Sequence, residues 1–463
     1  MFSKEVINEL VTVVGKENVI SELEDLVTYS FDATAAMPRV KPDVVVTPLN
    51  TEHVVKIVEV AKKYEIPIYP RGSGTNLSGG TIPLEKGIVV SMVHMNKILE
   101  VDLDNLCAWV EPGVIIQDLN NEAMKHGLIY PPDPGTVATA TMGGSVSECS
   151  GGLRGLKYGV TKHYIMGMEL VLANGDVIKW GGKTVKNVTG YDLTALFTGA
   201  EGTLGIITRL LVKLIPAPEA RKSLLAVFDD LDKAGNAISS IVRNKIIPAT
   251  LEIMDKVTIN TVENFTKAGL PIHAEAVLLI EVDGYKESVA REAPLVEKIC
   301  QECGAIDIKV AETDEERDLI WFARRNALPS LGQVKPSTVL EDATVPRSKI
   351  PEIIKAIRRI ADKYQLFIAT YGHAGDGNLH PTIVIDPTDK DEIERMEHAV
   401  AEIFEAALGL GGTISGEHGI GIGKIKYLPL EFGEAGVDTL RRIKEALDPN
   451  YMLNPGKVVD RGE

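Results

Sequence analysis

Three glycine-rich runs in the first 206 residues constrain this chain more than any other feature. They are Arg71-Gly72-Ser73-Gly74-Thr75-Asn76-Leu77-Ser78-Gly79-Gly80, the longer stretch 141–159, and Gly199-Ala200-Glu201-Gly202-Thr203-Leu204-Gly205-Ile206. Glycine loses more conformational freedom on folding than any other residue, so runs this dense need a compensating contact. A flat or anionic ligand pressed against bare backbone supplies one, because successive N–H groups can converge on it without Cβ obstruction. For any one run alone, a tight turn is the plainer reading.

The first run follows a strand, helix, strand pattern over residues 44–47, 51–64 and 66–69, with the helix begun near Asn50. A diphosphate suits such a loop. The dinucleotide fingerprint of NAD enzymes does not fit, because it needs a third glycine where Leu77 stands and a helix where Thr81-Ile82-Pro83 follows. Short strands at 88–91, 98–102, 108–111, 165–173 and 206–215 and a helix at 115–126 complete this half. Pro216 and Pro218 then mark a boundary. Beyond them strands at 224–228, 249–254, 276–282, 306–310 and 339–345 alternate with helices at 231–243, 314–327 and 349–364 and one ending at Cys300. This alternation predicts an α+β fold whose antiparallel sheet carries helices on one face.

Forty-nine basic against sixty-five acidic side chains, a net charge of −16, argue against nucleic acid as a partner. The apolar runs fall well short of the ~18 residues of a membrane span, and the first ten residues lack a basic segment followed by an apolar one, so the expectation is a cytoplasmic protein without a membrane span. Cys300-Gln301-Glu302-Cys303 offers two thiolates where an iron–sulfur cluster requires four.

The second chemical feature is Tyr371-Gly372-His373-Ala374-Gly375-Asp376-Gly377-Asn378-Leu379-His380. Asp-Gly between apolar segments predicts a two-residue hairpin turn, which would set His373 directly across from His380 on one face. Two facing imidazoles suit one divalent ion. Further on, Ser415-Gly416-Glu417-His418-Gly419 puts an acid beside an imidazole, so that Glu417 could be a third ligand while His418 acts as acid or base. On the 314–327 helix, Arg324 and Arg325 are candidates for gripping a carboxylate. Ordinary hydrogen-bonded histidines and a solvated helix face are the competing readings.

The Pro-Arg-Gly-Ser-Gly-Thr-Asn-Leu-Ser-Gly-Gly, Gly-Gly-Leu-Arg-Gly-Leu-Lys-Tyr-Gly and Glu-Gly-Thr-Leu-Gly-Ile runs resemble the FAD-binding domain of the vanillyl-alcohol-oxidase flavoproteins. The likeness runs from about residue 43 to 457. Within that superfamily it is greatest to the branch that holds the flavin-bearing chain of glycolate oxidase, the D-lactate dehydrogenases and D-2-hydroxyglutarate dehydrogenase. The resemblance implies a two-subdomain PCMH-type FAD-binding domain at 1–217, a cap domain of antiparallel sheet and helices in ferredoxin-like halves at 218–413, and a segment 414–463 returning to the first domain. It implies that Arg71, Gly72, Ser73, Gly74, Thr75, Asn76 and Gly79 hold the FAD diphosphate. Pro134, Gly135, Gly143, Gly144, Ser147, Ser150, Gly151, Tyr158, Ile206 and Asn454 would line the rest of the cofactor. His94, His126 and His163 do not match the family's covalent attachment positions, which implies FAD held without a covalent link. Where the family often has Asn, this chain has Cys149.

The same resemblance makes His373, His380 and Glu417 ligands of one divalent ion, zinc, manganese or iron, with His418 as base and Arg324 as the carboxylate anchor. Relatives acting on 2-hydroxyglutarate place a Lys where this chain has Leu340 and Glu341, which favours D-lactate or glycolate as the 2-hydroxy-acid substrate. Electrons would pass from the flavin to an electron-transfer flavoprotein or an iron–sulfur subunit. A metal-dependent hydrolase without flavin and a non-catalytic flavin-bearing assembly subunit are the rival functions.

Overall fold

The computed structural model describes residues 2–462, which form two compact units. The first comprises residues 2–150, Val160–Pro216 and the chain from Glu417 onward, and the second comprises Gly151–Gly159 and Ala217–Gly416.

In the first unit Val44–Val46, Ile88–Ser91 and Ile68–Arg71 form a parallel sheet, with Val19–Ile20 antiparallel at its edge. Val44, Val45, Val46, Ile88, Val89 and Val90 are all sealed from solvent, as continuous apolar strands of a parallel sheet demand. Helix Thr51–Tyr64 starts where the Asn50 side chain accepts the His53 N–H at 2.9 Å. Its Val54, Ile57, Val58 and Ala61 repeat at helical spacing and join the strands in one apolar cluster with Leu10 and Val14 of helix Lys4–Val14. The crossover from Ile68–Arg71 to Ile88–Ser91 contains no helix; the first glycine run occupies it. A second, five-stranded antiparallel sheet is ordered Ile98–Asp102, Cys107–Val110, Ile206–Lys213, Ile165–Val171, Val177–Gly181.

Helix Leu428–Leu447, broken at Gly433, leads into a buried clasp. The Lys444 ammonium donates to the carbonyls of Thr203 at 2.7 Å and Leu453 at 2.8 Å and pairs with Asp448 at 2.5 Å. Leu453 then forms a parallel bridge to Ile68, and the Asn454 N–H donates to the Ile68 carbonyl at 2.7 Å.

The second unit is built on an eight-stranded sheet. Ala220–Phe228, Thr250–Asp255, Ala276–Gly284 and Asp307–Val310, numbered one to four, lie in the spatial order 4-1-3-2, the ferredoxin-like arrangement. Ala343–Thr344, Phe367–His373 and Asn378–Ile385 repeat the 1-3-2 part of it, and the single bridge from Thr413 to Thr344 stands where a fourth strand would. Ser337–Leu340 adds a further strand beside Asn378–Ile385.

The expectation of helices on one face is corrected. Thr250–Asp255 and Asn378–Ile385 are buried at every position, which requires cover on both sides. Lys256–Thr266 and Asp314–Arg325 pack Ile259, Val262, Ile320 and Trp321 against Met254, Val277, Leu279 and Tyr371. Leu231–Arg243, Lys286–Glu302 and Ile350–Tyr364 lie against the same strands and cover the alternate residues, Leu224, Leu278 and Ile280 among them. Among the described residues no helix is long and apolar enough to cross a membrane.

The clasp yields a stability prediction. Asp448→Ala leaves the Lys444 ammonium buried without its counter-ion and should cost about 3–5 kcal/mol in a chemical denaturation curve; a loss under about 1 kcal/mol would show that the clasp is incidental.

Candidate active site

In the second unit the histidine hairpin pairs Tyr371 with His380, Gly372 with Leu379 and His373 with Asn378. The expected register, His373 directly across from His380, is therefore wrong by two residues. The turn is longer than Asp-Gly alone. The Gly377 N–H donates to the His373 carbonyl at 2.9 Å, and Asp376 Oδ1 accepts the Asn378 N–H at 3.2 Å, so residues 374–377 all belong to the turn. Gly377 is required there: its φ is +91° and a Cβ would lie 2.0 Å from the Val345 carbonyl oxygen. A slip of two preserves the face of every side chain, because strand side chains alternate with period two. The two histidines thus become diagonal neighbours, with ring centroids 5.0 Å apart and planes at 88°.

The adjoining strand pairs Ile253 with Gly372 and Met254 with Tyr371, and so sets Glu252 beside His373 on that same face. Glu252 Oε1 lies 2.7 Å from His373 Nδ1, while Oε2 accepts from Arg324 Nε at 2.7 Å and pairs with Nη2 at 2.6 Å. Burial pushes the Glu252 carboxyl up, but the charges of His373 and Arg324 and their hydrogen bonds outweigh it and hold the group below the ordinary glutamate value. Arg324, buried near the end of helix Asp314–Arg325, stacks over the Tyr371 ring at 4.8 Å, whereas Arg325 faces solvent. A second carboxylate, Asp342, is fully buried with Oδ1 3.4 Å from His380 Nδ1; its Oδ2 accepts from the Gly416 N–H at 3.1 Å and the Ser415 hydroxyl at 3.2 Å. Sequence reading missed both acids. The available signal was a lone carboxylate inside an otherwise apolar strand, Thr250-Leu251-Glu252-Ile253-Met254, which is costly to bury without partners.

Of the residues expected around FAD, Gly151 and Tyr158 belong to this second unit, and the Tyr158 hydroxyl donates to Asp283 at 2.7 Å. The others lie in the first unit. The Arg71–Gly80 run is braced from within: Arg71 Nη1 donates to the Phe31 carbonyl at 2.9 Å and to Thr81 Oγ1 at 3.1 Å, and Asp32 accepts from Asn76 Nδ2 at 2.7 Å. The N–H groups of Ser73, Gly74, Thr75 and Asn76 donate to nothing among the described residues. Gly72 and Gly143 permit close approach, since a Cβ would lie 2.2 Å from Thr141 Oγ1 at the first and 2.6 Å from Pro112 Cβ at the second. Thr141 caps helix Met142–Glu148 by accepting the Gly144 N–H at 3.2 Å, and the Ser147 carbonyl accepts the Glu201 N–H at 2.9 Å. Ser150 Oγ is 2.5 Å from Ser145 Oγ. Pro134 and Gly135 form a turn closed by the Val137 N–H, and Ile206 is packed into the apolar cluster of the parallel sheet.

Asn454 Nδ2 ties the first and third glycine runs together through the carbonyls of Gly80 at 2.9 Å and Glu201 at 2.7 Å. Around Gly80 lie three buried polar atoms, Ser78 Oγ, Glu148 Oε2 and Asn454 Oδ1, with no hydrogen-bond partner among the described residues. Burial raises Glu148 well above the usual carboxylate range and pushes Glu201 up to about 7, the latter against the pull of the Ile420 and Gly421 N–H groups it accepts at 2.6 and 2.7 Å. Glu417 and His418 precede that contact, with Glu417 Oε1 3.9 Å from His418 Nε2.

Residues 42–181 match the family described as FAD binding domain, and residues 217–458 match FAD linked oxidases, C-terminal domain. The chain is 51% identical over 458 residues to the glycolate oxidase subunit GlcD of Bacillus subtilis, covering 99% of this chain and 97% of the relative. This chain belongs to the FAD-linked oxidases. The oxidase is also 39% identical to a D-lactate dehydrogenase of Archaeoglobus fulgidus, covering 93% of this chain and 95% of that one. Its fold is that of p-cresol methylhydroxylase, with a TM-score of 0.81 over 98% of this chain and 96% of the other at 20% identity. A flavin-free hydrolase does not survive this match. FAD is the cofactor of the family, and the first unit suits it: unengaged N–H groups along residues 73–76, glycines that keep the loop bare, and orphaned polar atoms around Gly80 are what a diphosphate and a polar ring would satisfy.

Cys149 ends helix Met142–Glu148 at φ +54°, a left-handed position that Asn tolerates better than Cys. Cys149→Asn in this oxidase should therefore raise stability by about 0.5–1 kcal/mol in a denaturant melt; a decrease would mean that the thiol makes an indispensable packing contact.

Proposed function

We propose that this oxidase converts a small D-2-hydroxy acid, D-lactate foremost and glycolate next, to the 2-keto acid. The observation that carries the reading is the perpendicular pair His373 and His380, with buried carboxylates on their Nδ1 sides and Arg324 on the same sheet face, in a chain whose relatives are named glycolate oxidase subunit and D-lactate dehydrogenase. FAD, held without a covalent link by the glycine runs of the first unit, supplies when bound the acceptor for the substrate's hydride. His373 and His380, with Glu417 proposed as third ligand, would hold a zinc, manganese or ferrous ion whose Lewis acidity acts on the substrate's oxygens.

The side chains do the rest. His418, as a neutral imidazole, takes the substrate hydroxyl proton. Arg324 has its Nε and Nη2 edge engaged by Glu252, which leaves the Nη1 side of the guanidinium for the substrate carboxylate. Leu340 and Glu341 offer no cation to a second carboxylate, so a dicarboxylate is disfavoured. The electrons go on to a partner, an electron-transfer flavoprotein or an iron–sulfur subunit. Cys300 and Cys303 cannot carry them: both are free thiols, and burial pushes Cys300 up to about 12.

Anaerobic mixing of the yellow protein with each acid tests the reading. D-lactate and glycolate should bleach the flavin, while L-lactate and D-2-hydroxyglutarate leave it oxidised. A protein inert to all four would instead be a flavin-bearing assembly subunit. His418→Ala should keep its flavin and bleach about 10²- to 10⁴-fold more slowly; an unchanged rate removes His418 as the base.

A further inference from the structure

The proposed roles of His373 and Arg324 leave unassigned the group that touches both. Glu252 is fully buried, and its two oxygens are divided between them, Oε1 at 2.7 Å from His373 Nδ1 and Oε2 at 2.7 and 2.6 Å from Arg324 Nε and Nη2. We infer that Glu252 is a positioning residue that sets the tautomer and ring angle of His373 and the direction of the Arg324 guanidinium together, an inference that rests on the function proposed above. A carboxylate can only accept hydrogen bonds, so the Glu252 contact puts a proton on Nδ1 of His373, and in the neutral form of the ring Nε2 is then the nitrogen whose lone pair can ligate an ion. By holding Nε and Nη2 on its other oxygen, the same group fixes which edge of Arg324 faces outward.

Two features separate this role from that of an ordinary buried ion pair. Glu252 divides its oxygens between a guanidinium and an imidazole, so one group orients both side chains at once. The strand register also brings it there: Ile253 opposite Gly372 and Met254 opposite Tyr371 set Glu252 beside His373. Moreover, the Tyr371 ring under the Arg324 guanidinium is itself edge-on to His380 at 5.8 Å, so the contacts run continuously from the guanidinium to the second imidazole.

The experiment uses the FAD-loaded protein stripped of metal by a chelator, with Zn²⁺ titrated calorimetrically and D-lactate kinetics followed in parallel. Glu252→Gln keeps the side-chain shape and removes the charge. It should weaken Zn²⁺ binding by about 10- to 100-fold, the usual loss when a carboxylate behind a ligating histidine is removed, and raise KM for D-lactate more than it lowers kcat. Glu252→Gln with Arg324→Leu buries no unpaired charge and covers the case where the single variant does not fold. For that variant Zn²⁺ affinity alone is read, and a loss of about 10-fold or more is again expected. Wild-type Zn²⁺ affinity in whichever variant folds overturns the inference while leaving the proposed function intact. If the unmodified protein binds neither Zn²⁺ nor Mn²⁺, the metal part of the proposed function fails first, and the inference falls with it.

Discussion

A carboxylate sealed from water persists as an ion only where donors surround it, and the second unit is organised around two of them. Moving such a group out of water costs several kcal/mol even after relaxation, and matched hydrogen bonds are what offset that cost. Glu252 meets the condition with an imidazole and a guanidinium; Asp342 meets it on Oδ2 with a hydroxyl and a backbone N–H, while its Oδ1 lies 3.4 Å from His380 Nδ1. These partners also fix the geometry of the site. Because both faces of the sheet are covered, the imidazoles have little room to rotate away from the carboxylates behind them.

The ferredoxin-like strand order is what assembles this constellation. Glu252 and His373 are 121 residues apart and Glu252 and Arg324 are 72 apart, yet each pair is in direct contact. Strand two of the first half lies next to strand two of the second, so residues from two separately folded-over motifs share one face. A polar cluster of this kind inside an apolar layer works against stability taken alone, as expected where residues are retained for chemistry.

The first unit meets the opposite requirement, a bare backbone. Its loops come within contact distance of one another at Gly72 and Gly143, where any side chain would collide with Thr141 or Pro112. The Lys444 and Asp448 clasp sets the path of the terminal segment, and Asn454 then bonds the first and third runs at once. Local glycine content made a cofactor loop legible; the brace supplied by Asp32 and the buried acids Glu148 and Glu201 was not legible, because single acids in mixed sequence carry no periodic signal.

Motif order and composition alone located most strands and helices and made the FAD-binding family legible in the glycine runs. Those features depend on local backbone preference and on the chemistry of single residue types, which sequence spacing reports directly. Helix Lys256–Thr266 is hidden from local reading by its six β-branched residues and Leu428–Leu447 by the break at Gly433; Lys390–Gly409 was likewise not assigned. Tertiary structure decided the hairpin register, the second layer of helices and the carboxylates that hold the imidazoles. Register depends on how a turn packs, and here residues 374–377 all belong to it, with Gly377 seated against the Val345 backbone. Which acid reaches which histidine depends on strand neighbours far apart in the chain, and no local pattern encodes that distance.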